Sequence, residues 1–282
     1  MKEVKHLLGL SGGKDSAALA VYMRQHHPKL EIEYFYTDTG KELPEVYEFL
    51  SRLEGFLGKR IKRLNPGRDF DYWLKEYNNF LPSAQTRWCT RALKLEPFNH
   101  WAKQLVEQGF QVKSYVAIRA DEPARSGFIS KDKDIEVVLP LKDAGIDRAE
   151  VIRLLDSSGL GLPKYYDWRS RSGCTFCFFQ QKIEWVHLKE RHPQAFEEAK
   201  MYEQQAIDSG SPFSWSQGEY LEELEVPERM EQIRANHEAK LTRLKAKKKR
   251  NPLWPDDVED HVDIDELYGS SEEESSCVIC HK

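Results

Sequence analysis

The chain has 282 residues, 40% of them hydrophobic and 32% charged, and a formal net charge of −5. That length supports one or two domains with a sizeable core, and no apolar run approaches the roughly 20 residues of a membrane helix. The composition points to a soluble globular protein and excludes a helical membrane protein; the five cysteines, an odd number, argue against a disulfide framework.

The N-terminal residues run straight into a strand-like segment with no signal-peptide pattern, so the expected location is cytoplasmic. Residues 4–10 form a short apolar run ending at a glycine-rich turn, as a buried strand does. Residues 15–24 read as a helix, with Ala17, Leu19, Ala20, Val21 and Met23 on its apolar face. Residues 32–36 read as a second strand, broken by Thr37, Asp38, Thr39 and Gly40. A helix follows from Pro44, a favourable first-turn place for proline, to Leu57. Residues 60–64 suit a third strand, 94–107 a helix stopped at Gly109, and 111–118 a fourth strand. This rhythm predicts a doubly wound α/β fold with a mainly parallel sheet. Residues 119–172 read as loop-rich around a helix at 149–155, and helices are expected at 183–191, 193–205 and 227–249. The expected organisation is an α/β domain over 1–180, a helical extension over 181–250 and an acidic, flexible tail over 251–282.

Charge is segregated near the end. Lys240 to Arg250 carries seven positive residues, and Asp256 to Glu274 carries ten acids. A basic segment followed by an acidic one could contact nucleic acid and regulate that contact; a solvated helix end and tail explain the pattern more simply. Trp185, Phe213 and Trp215 could stack on bases, although core packing is the commoner fate of aromatic residues.

The strongest signal is strand, Ser11-Gly12-Gly13-Lys14-Asp15-Ser16, helix. Adjacent glycines let the backbone turn tightly and approach a ligand without a Cβ in the way. Amides of the turn and first helical turn would point at one spot that carries the helix's partial positive charge. Lys14 adds a full charge, Ser11 and Ser16 add hydroxyls, and Asp15 would hold the loop or position Mg2+. The spacing is not that of a Walker A loop. It resembles the PP-loop of ATP pyrophosphatases, which cut ATP between the α and β phosphates.

Further motifs extend the resemblance over residues 4–190 to the phosphoadenosine-phosphosulfate reductase family in the broad sense. Tyr36-Thr37-Asp38-Thr39-Gly40 with Pro44-Glu45-Val46-Tyr47 resembles its second motif. Arg87-Trp88-Cys89-Thr90-Arg91 with Lys94 and Pro97 resembles its cysteine-lysine segment, and Ala117 to Glu122 with Arg125 its arginine motif. Pro140-Leu141, Gly161-Leu162-Pro163 and Tyr165-Tyr166 then lead to Arg171-Ser172-Gly173-Cys174 and Cys177. Two departures stand out: the reductases' cysteine-bearing tail is absent, and Trp88-Cys89 stands where cluster-containing reductases carry a cysteine pair. Three thiolates also serve in several PP-loop sulfur-transfer enzymes, and DNA phosphorothioation proteins share this branch.

The resemblance therefore implies an ATP pyrophosphatase that adenylates an acceptor for sulfur transfer, with nucleic acid as the acceptor and a cysteine desulfurase as donor. A reductase of adenylylated sulfate and a non-catalytic nucleotide-binding subunit are the alternatives. The nucleotide set it implies is Ser11, Gly12, Gly13, Lys14, Asp15, Ser16, Asp38, Gly40, Arg119 and Arg125. Lys14, Asp15, Ser16, Asp38, Lys94 and Arg119 would act in catalysis, with Asp38 on Mg2+ or the ribose. Cys174 and Cys177 have metal-ligand spacing; joined by Cys89 they would hold an iron–sulfur cluster of the [4Fe–4S] type or, with His187 or His192 as fourth ligand, zinc. Cys277 and Cys280 could relay sulfur, bind metal with His281, or be incidental.

Overall fold

In a computed structural model of the protein the described residues are 2–64, 67–123, 125, 132–211, 213–216 and 218–250, with side chains described through residue 243. The expected acidic tail, Cys277, Cys280 and the last basic side chains lie outside them. The chain opens with β1 (Val4–Gly9), α1 (Lys14–His26), β2 (Ile32–Thr37), α2 (Pro44–Leu57) and β3 (Ile61–Leu64). It continues through α3 (Phe70–Glu76), α4 (Trp88–Thr90), a π-helical turn (Arg91–Leu95), α5 (Glu96–Glu107) and β4 (Gln111–Tyr115). Next come β5 (Ile135–Val138), α6 (Pro140–Asp143), α7 (Arg148–Ser157) and a 3-10 turn (Lys164–Asp167). The helices α8 (Lys182–Arg191), α9 (Pro193–Asp208), α10 (Leu221–Leu224) and α11 (Pro227–Arg250) complete it.

The strands form one sheet in the order β3-β2-β1-β4-β5. Every neighbouring pair is parallel. Parallel pairing needs a crossover between strands, and the crossover helices cover both faces, so the central strands read as continuous apolar runs. Alternate residues divide between the faces: Leu7, Phe35 and Val112 join Phe98, Trp101 and Leu105 of α5. Leu8, Tyr34 and Tyr36 join α1, α2 and α7. The reversal of strand order falls between β1 and β4, where an open α/β sheet leaves a crevice beyond its strand ends.

The expected β4 extends to residue 118, but pairing stops at Tyr115, where β5 also runs out. The chain then peels away through Val116–Ile118 and delivers Arg119 to the crevice. The helix expected at 94–107 begins earlier, in the π-helical turn, a feature that often marks functional sites. Both α3 and β5 went unread from the sequence; β5 has four residues on the sheet's edge and is only partly buried.

The core facing α1 does not stop at residue 180. Phe70 and Phe176 pack against Trp215 and Tyr202 at ring distances of 5.1 to 6.4 Å. Trp185 is 0% and Trp215 2% exposed, so neither can stack on a base: the structure makes them core. Phe213 is half-buried against Phe80, 4.5 Å between centroids. No helix among the described residues is long and apolar enough to cross a membrane.

Candidate nucleotide site

Leu10 N–H donates to Phe35 O (2.7 Å) as β1 ends, and the chain turns at Gly12 and Gly13 into α1. Gly12 has φ +73°, and a Cβ there would lie 2.6 Å from Val46 Cγ1. At Gly13 a Cβ would meet Ser172 Oγ at 2.8 Å. Gly12 thus needs glycine for its left-handed φ, while at Gly13 a Cβ would crowd the Ser172 hydroxyl.

The loop is more enclosed than its sequence suggests. Ser11, Lys14, Asp15 and Ser16 are buried, and so are both glycines. Buried amides must be paired, and hydroxyls pair several here. Ser11 N–H donates to Ser16 Oγ at 3.1 Å, Gly13 N–H to Ser11 Oγ at 3.3 Å, and Lys14 N–H to Tyr166 OH at 3.2 Å. Ser16 Oγ donates to Gly13 O at 3.2 Å. The expected fan of open amides is therefore partly filled by hydroxyls: the Ser11, Gly13 and Lys14 amides each have one as acceptor. Tyr165 OH donates to Gly12 O at 2.8 Å, Ser172 Oγ stands 3.5 Å from Ser11 Oγ, and Lys14 Nζ lies 5.2 Å from the Tyr166 ring centre. These three residues belonged to motifs in the sequence, but only folding brings them some 150 positions back onto the loop.

Charge is organised across the β1/β4 crevice. Asp15 Oδ2 is 3.7 Å from Lys14 Nζ, and Asp15 Oδ1 is 3.0 Å from Arg119 Nη1. Arg119 Nε also donates to Asp121 Oδ1 at 2.8 Å, and its amide donates to Glu122 Oε2 at 3.1 Å. Burial works against the guanidinium charge, but Asp15, Asp121 and Glu122 outweigh it and hold the Arg119 pKa above its usual range. Burial likewise raises the Glu122 pKa, and Arg119 and Arg125 override it to leave that carboxyl low. Arg125 Nη1 bonds Glu122 Oε1 at 2.5 Å, so Arg125 supports the arginine motif from behind.

Asp38 follows β2 at the same sheet edge. Its Oδ1 accepts from Gly40 N–H at 2.9 Å and Tyr47 OH at 2.8 Å, while Oδ2 is 3.7 Å from Arg63 Nη1. Burial and the bond to Asp38 push the Tyr47 phenol well up. Gly40, at φ +74°, makes the turn that closes on Asp38.

The cysteines share one locality. Cys174 pairs with Glu42 in an isolated antiparallel bridge, its Sγ 3.3 Å from Thr39 Oγ1 and 3.9 Å from Glu42 Oε1. Burial and Cys177 push the Cys89 thiol up to about 11. Burial, Glu42 and Cys177 raise that of Cys174, so all three sulfurs lie within electrostatic reach. Lys94 acts on both Cys89 and Cys174 and opposes these shifts; the structure places it with the thiols. A metal centre is a further matter. Among the described residues no group of three or more His, Cys, Asp or Glu side chains is arranged to hold a metal ion. His192 Nε2 instead sits 2.9 Å from Glu45 Oε1, and His187 Nδ1 lies 3.7 Å from Glu190 Oε2. The cluster and zinc expectations thus extend no further than the convergence of the cysteines. A separate cavity of about 450 Å3, lined by Tyr22, His26, Asp147, Glu150 and Arg153, lies along the later turns of α1 and is not the phosphate site.

An open parallel sheet with a glycine loop, a lysine and a buried arginine at its switch point defines a PP-loop nucleotide-binding protein. More narrowly, the chain belongs to the phosphoadenosine phosphosulfate reductase domain family, whose model matches residues 5–177. An uncharacterised protein of Methanocaldococcus jannaschii is 33% identical over 118 residues, covering 41% of this chain and 23% of its own. A second from the same organism is 26% identical over 191 residues, covering 66% and 44%. The chain thus spans under half the length of these curated relatives. Among solved structures, phosphoadenylyl-sulfate reductase from Candida auris, a phosphate complex, has 13% identity and a TM-score of 0.47, covering 62% of this chain and 82% of its own. The NMN synthetase of Francisella tularensis has 15% identity and a TM-score of 0.33, covering 74% and 86%.

Proposed function

We propose that the chain is an ATP pyrophosphatase that adenylates an oxygen of an acceptor and so prepares it for sulfur transfer. One observation carries the reading: the segment holding the cysteines is seated on the phosphate loop, with Ser172 against Ser11 and Gly13 two residues before Cys174. Nucleotide phosphates and sulfur chemistry would then share one crevice.

In the first step the acceptor oxygen attacks the α-phosphorus, and the bond to the bridging oxygen breaks. Pyrophosphate leaves with the electron pair. Catalysis of such a transfer is mainly positioning and charge neutralisation. Lys14 and the loop amides, released from the Ser11, Ser16 and Tyr166 hydroxyls, would carry the leaving group. Arg119, reached through Asp15, would lie over the α-phosphate. In the second step a sulfur nucleophile attacks the activated centre, and AMP departs with the acceptor oxygen. Asp38, at the end of β2, would help hold a magnesium ion brought in on the nucleotide, and such an ion would supply charge neutralisation at the phosphates. Nucleic acid as acceptor and a cysteine desulfurase as sulfur source are proposed on the motif resemblance alone.

The test is pyrophosphate release from ATP by the purified chain. Lys14→Ala should abolish release while the variant still folds and melts in one cooperative step. Unchanged turnover in that variant would remove Lys14 from the role, and no binding of any adenylyl nucleotide to the native chain would end the proposal. The family match supports a second reading, reduction of an adenylylated sulfate. Formation of sulfite from adenylyl sulfate and a thiol would establish it in place of the first.

A further inference from the structure

Side chains bridge the turn between Cys174 and Cys177 where backbone could have closed it. A four-residue turn ordinarily closes when its fourth N–H donates to its first carbonyl. Among the described residues that bond is replaced. Cys174 O accepts from Arg169 Nη2 at 2.6 Å, and Cys177 N–H donates to Gln180 Oε1 at 3.0 Å. Arg169 Nη2 donates to the same Gln180 Oε1 at 2.9 Å. A guanidinium and a carboxamide therefore link the two ends of the turn. Each end is held twice, because Arg169 Nη1 also donates to Gly173 O at 3.2 Å and Gln180 N–H to Cys177 O at 2.8 Å.

This bridge is costly to build. Arg169 is 1% exposed, and its Nε is buried without a hydrogen bond. The acceptors of its other nitrogens are two carbonyls and a carboxamide, all neutral. The buried carboxylate of Glu184 is occupied by the Ser170 and Gln181 amides. A hydrophobic side chain of similar volume would fill the space without desolvating a charge, so packing alone does not account for Arg169. The geometry of the turn does. Cys174 is fixed from its far side by the antiparallel bridge to Glu42 and by Thr175 N–H on Lys41 O. The gap to Cys177 is then set through Gln180 and Arg169. Without that bridge the turn can close on itself and bring the two Cβ atoms to the roughly 3.5–4.5 Å that a disulfide needs. In the structure all three described cysteines are free.

We propose that Arg169, acting through Gln180, is a positioning residue that holds the Cys174–Cys177 turn open and so keeps both thiols free to carry sulfur. The inference rests on the sulfur-transfer reading above and says what keeps its thiols available, since a disulfide between them would leave neither free.

The experiment equilibrates the full chain in buffers of glutathione and glutathione disulfide. The protein dithiol and one glutathione disulfide give the protein disulfide and two glutathiones. Two protein sulfurs are oxidised, two glutathione sulfurs are reduced, and the protons pass to the departing thiolates. After acid quenching and alkylation, the tryptic peptide 172–182 reports the pair, because it carries Cys174 and Cys177 and no other cysteine. Arg169→Met should move the equilibrium at least tenfold toward the disulfide, and Arg169→Lys should recover part of that shift. If Arg169→Met fails to fold, Gln180→Leu breaks the bridge from its other end and carries the same expectation. Phe196→Leu loosens the same core against Trp185 without touching the turn, and should stay within twofold of the native chain. An unchanged equilibrium in Arg169→Met and Gln180→Leu overturns the proposal. So does an equal shift in Phe196→Leu, which would make the effect a general loosening, and so does a native chain already oxidised at this pair in reducing glutathione. Pyrophosphate release is no part of this readout, so a failure of the nucleotide reading would show in that assay alone.

Discussion

At the scale of single residues the site is organised by Asp15. Its two oxygens face two cations of different origin, Lys14 from its own helix and Arg119 from the end of β4. Both members of the Asp15–Arg119 pair are almost fully buried, with side chains 8% and 7% exposed. Removing one member of a buried pair leaves the other charge uncompensated and costs about 3–5 kcal/mol. Arg119→Gln should therefore lower the melting temperature by roughly 6–10 °C, at about 2 °C per kcal/mol for a chain of this size. Asp15→Asn should cost a similar amount, and the double variant much less than the two losses added. A strictly additive double-mutant cycle would show that the two residues do not share an interaction. Two further carboxylates fix Arg119 beside Asp15: Asp121 accepts from its guanidinium and Glu122 from its backbone amide.

At the scale of elements, what could be read from the sequence was what repeats locally. Proline at the head of α2 and glycine after its end gave that helix its observed limits, Pro44–Leu57. The helices α8, α9 and α11 began within a residue of their expected starts, because Pro193 and Pro227 mark two of them. The phosphate loop was legible from its glycines and hydroxyls. Its cover was not: Tyr165 and Tyr166 touch the loop through a contact no local pattern encodes. Lys94 was expected in catalysis from its motif, and what no local pattern encodes is that from the π-helical turn it acts electrostatically on both Cys89 and Cys174. A similar long-range tie links α9 to the chain that follows it. Glu203, 3% exposed, accepts from Trp215 N–H at 2.9 Å and Leu221 N–H at 2.6 Å. Burial raises its pKa, and the two amide bonds only partly oppose this. A carboxyl whose folded pKa lies above its unfolded value binds its proton more tightly in the folded state. Its contribution is complete below the unfolded value, near 4.5, and is lost as pH rises through the raised one. Stability should therefore decline as pH climbs through that window, and Glu203→Gln should flatten this part of the profile. A decline that persists unchanged in Glu203→Gln would assign it to another group. Glu203→Ala should cost more at every pH, about 1–3 kcal/mol for each amide left unpaired.

At the scale of the whole molecule, the question is whether the family-matched region, residues 5–177, is a unit in its own right. The packing argues that it is not. Phe70 of α3 and Phe176 of the cysteine segment meet Tyr202 and Trp215 from beyond that region. Lys41, one residue before Glu42, bonds Glu198 of α9 at 2.5 Å and pairs with Asp71 at 3.1 Å. Tyr202 hydrogen-bonds the same Asp71. Thr175 N–H donates to Lys41 O at 2.7 Å, so the segment that carries Cys174 is fastened to the loop that α9 holds. The helical extension thus supports the cysteine side of the site as well as closing the core. A chain ending at residue 180 would lose Trp185, Phe196, Tyr202 and Trp215 together and uncover the aromatic face they bury. Burial of each such side chain is worth about 1.5–3 kcal/mol, against a total stability of about 5–15 kcal/mol. The shortened chain should therefore show no cooperative thermal transition and no fixed near-ultraviolet circular dichroism, while the full chain melts in one step. Phe70→Ala in the full chain should lower that single transition by about 3–5 kcal/mol without splitting it. A cooperative melt of residues 1–180 at the full chain's temperature would refute this account, and the extension would then be an appendage whose contacts stabilise nothing in the nucleotide site.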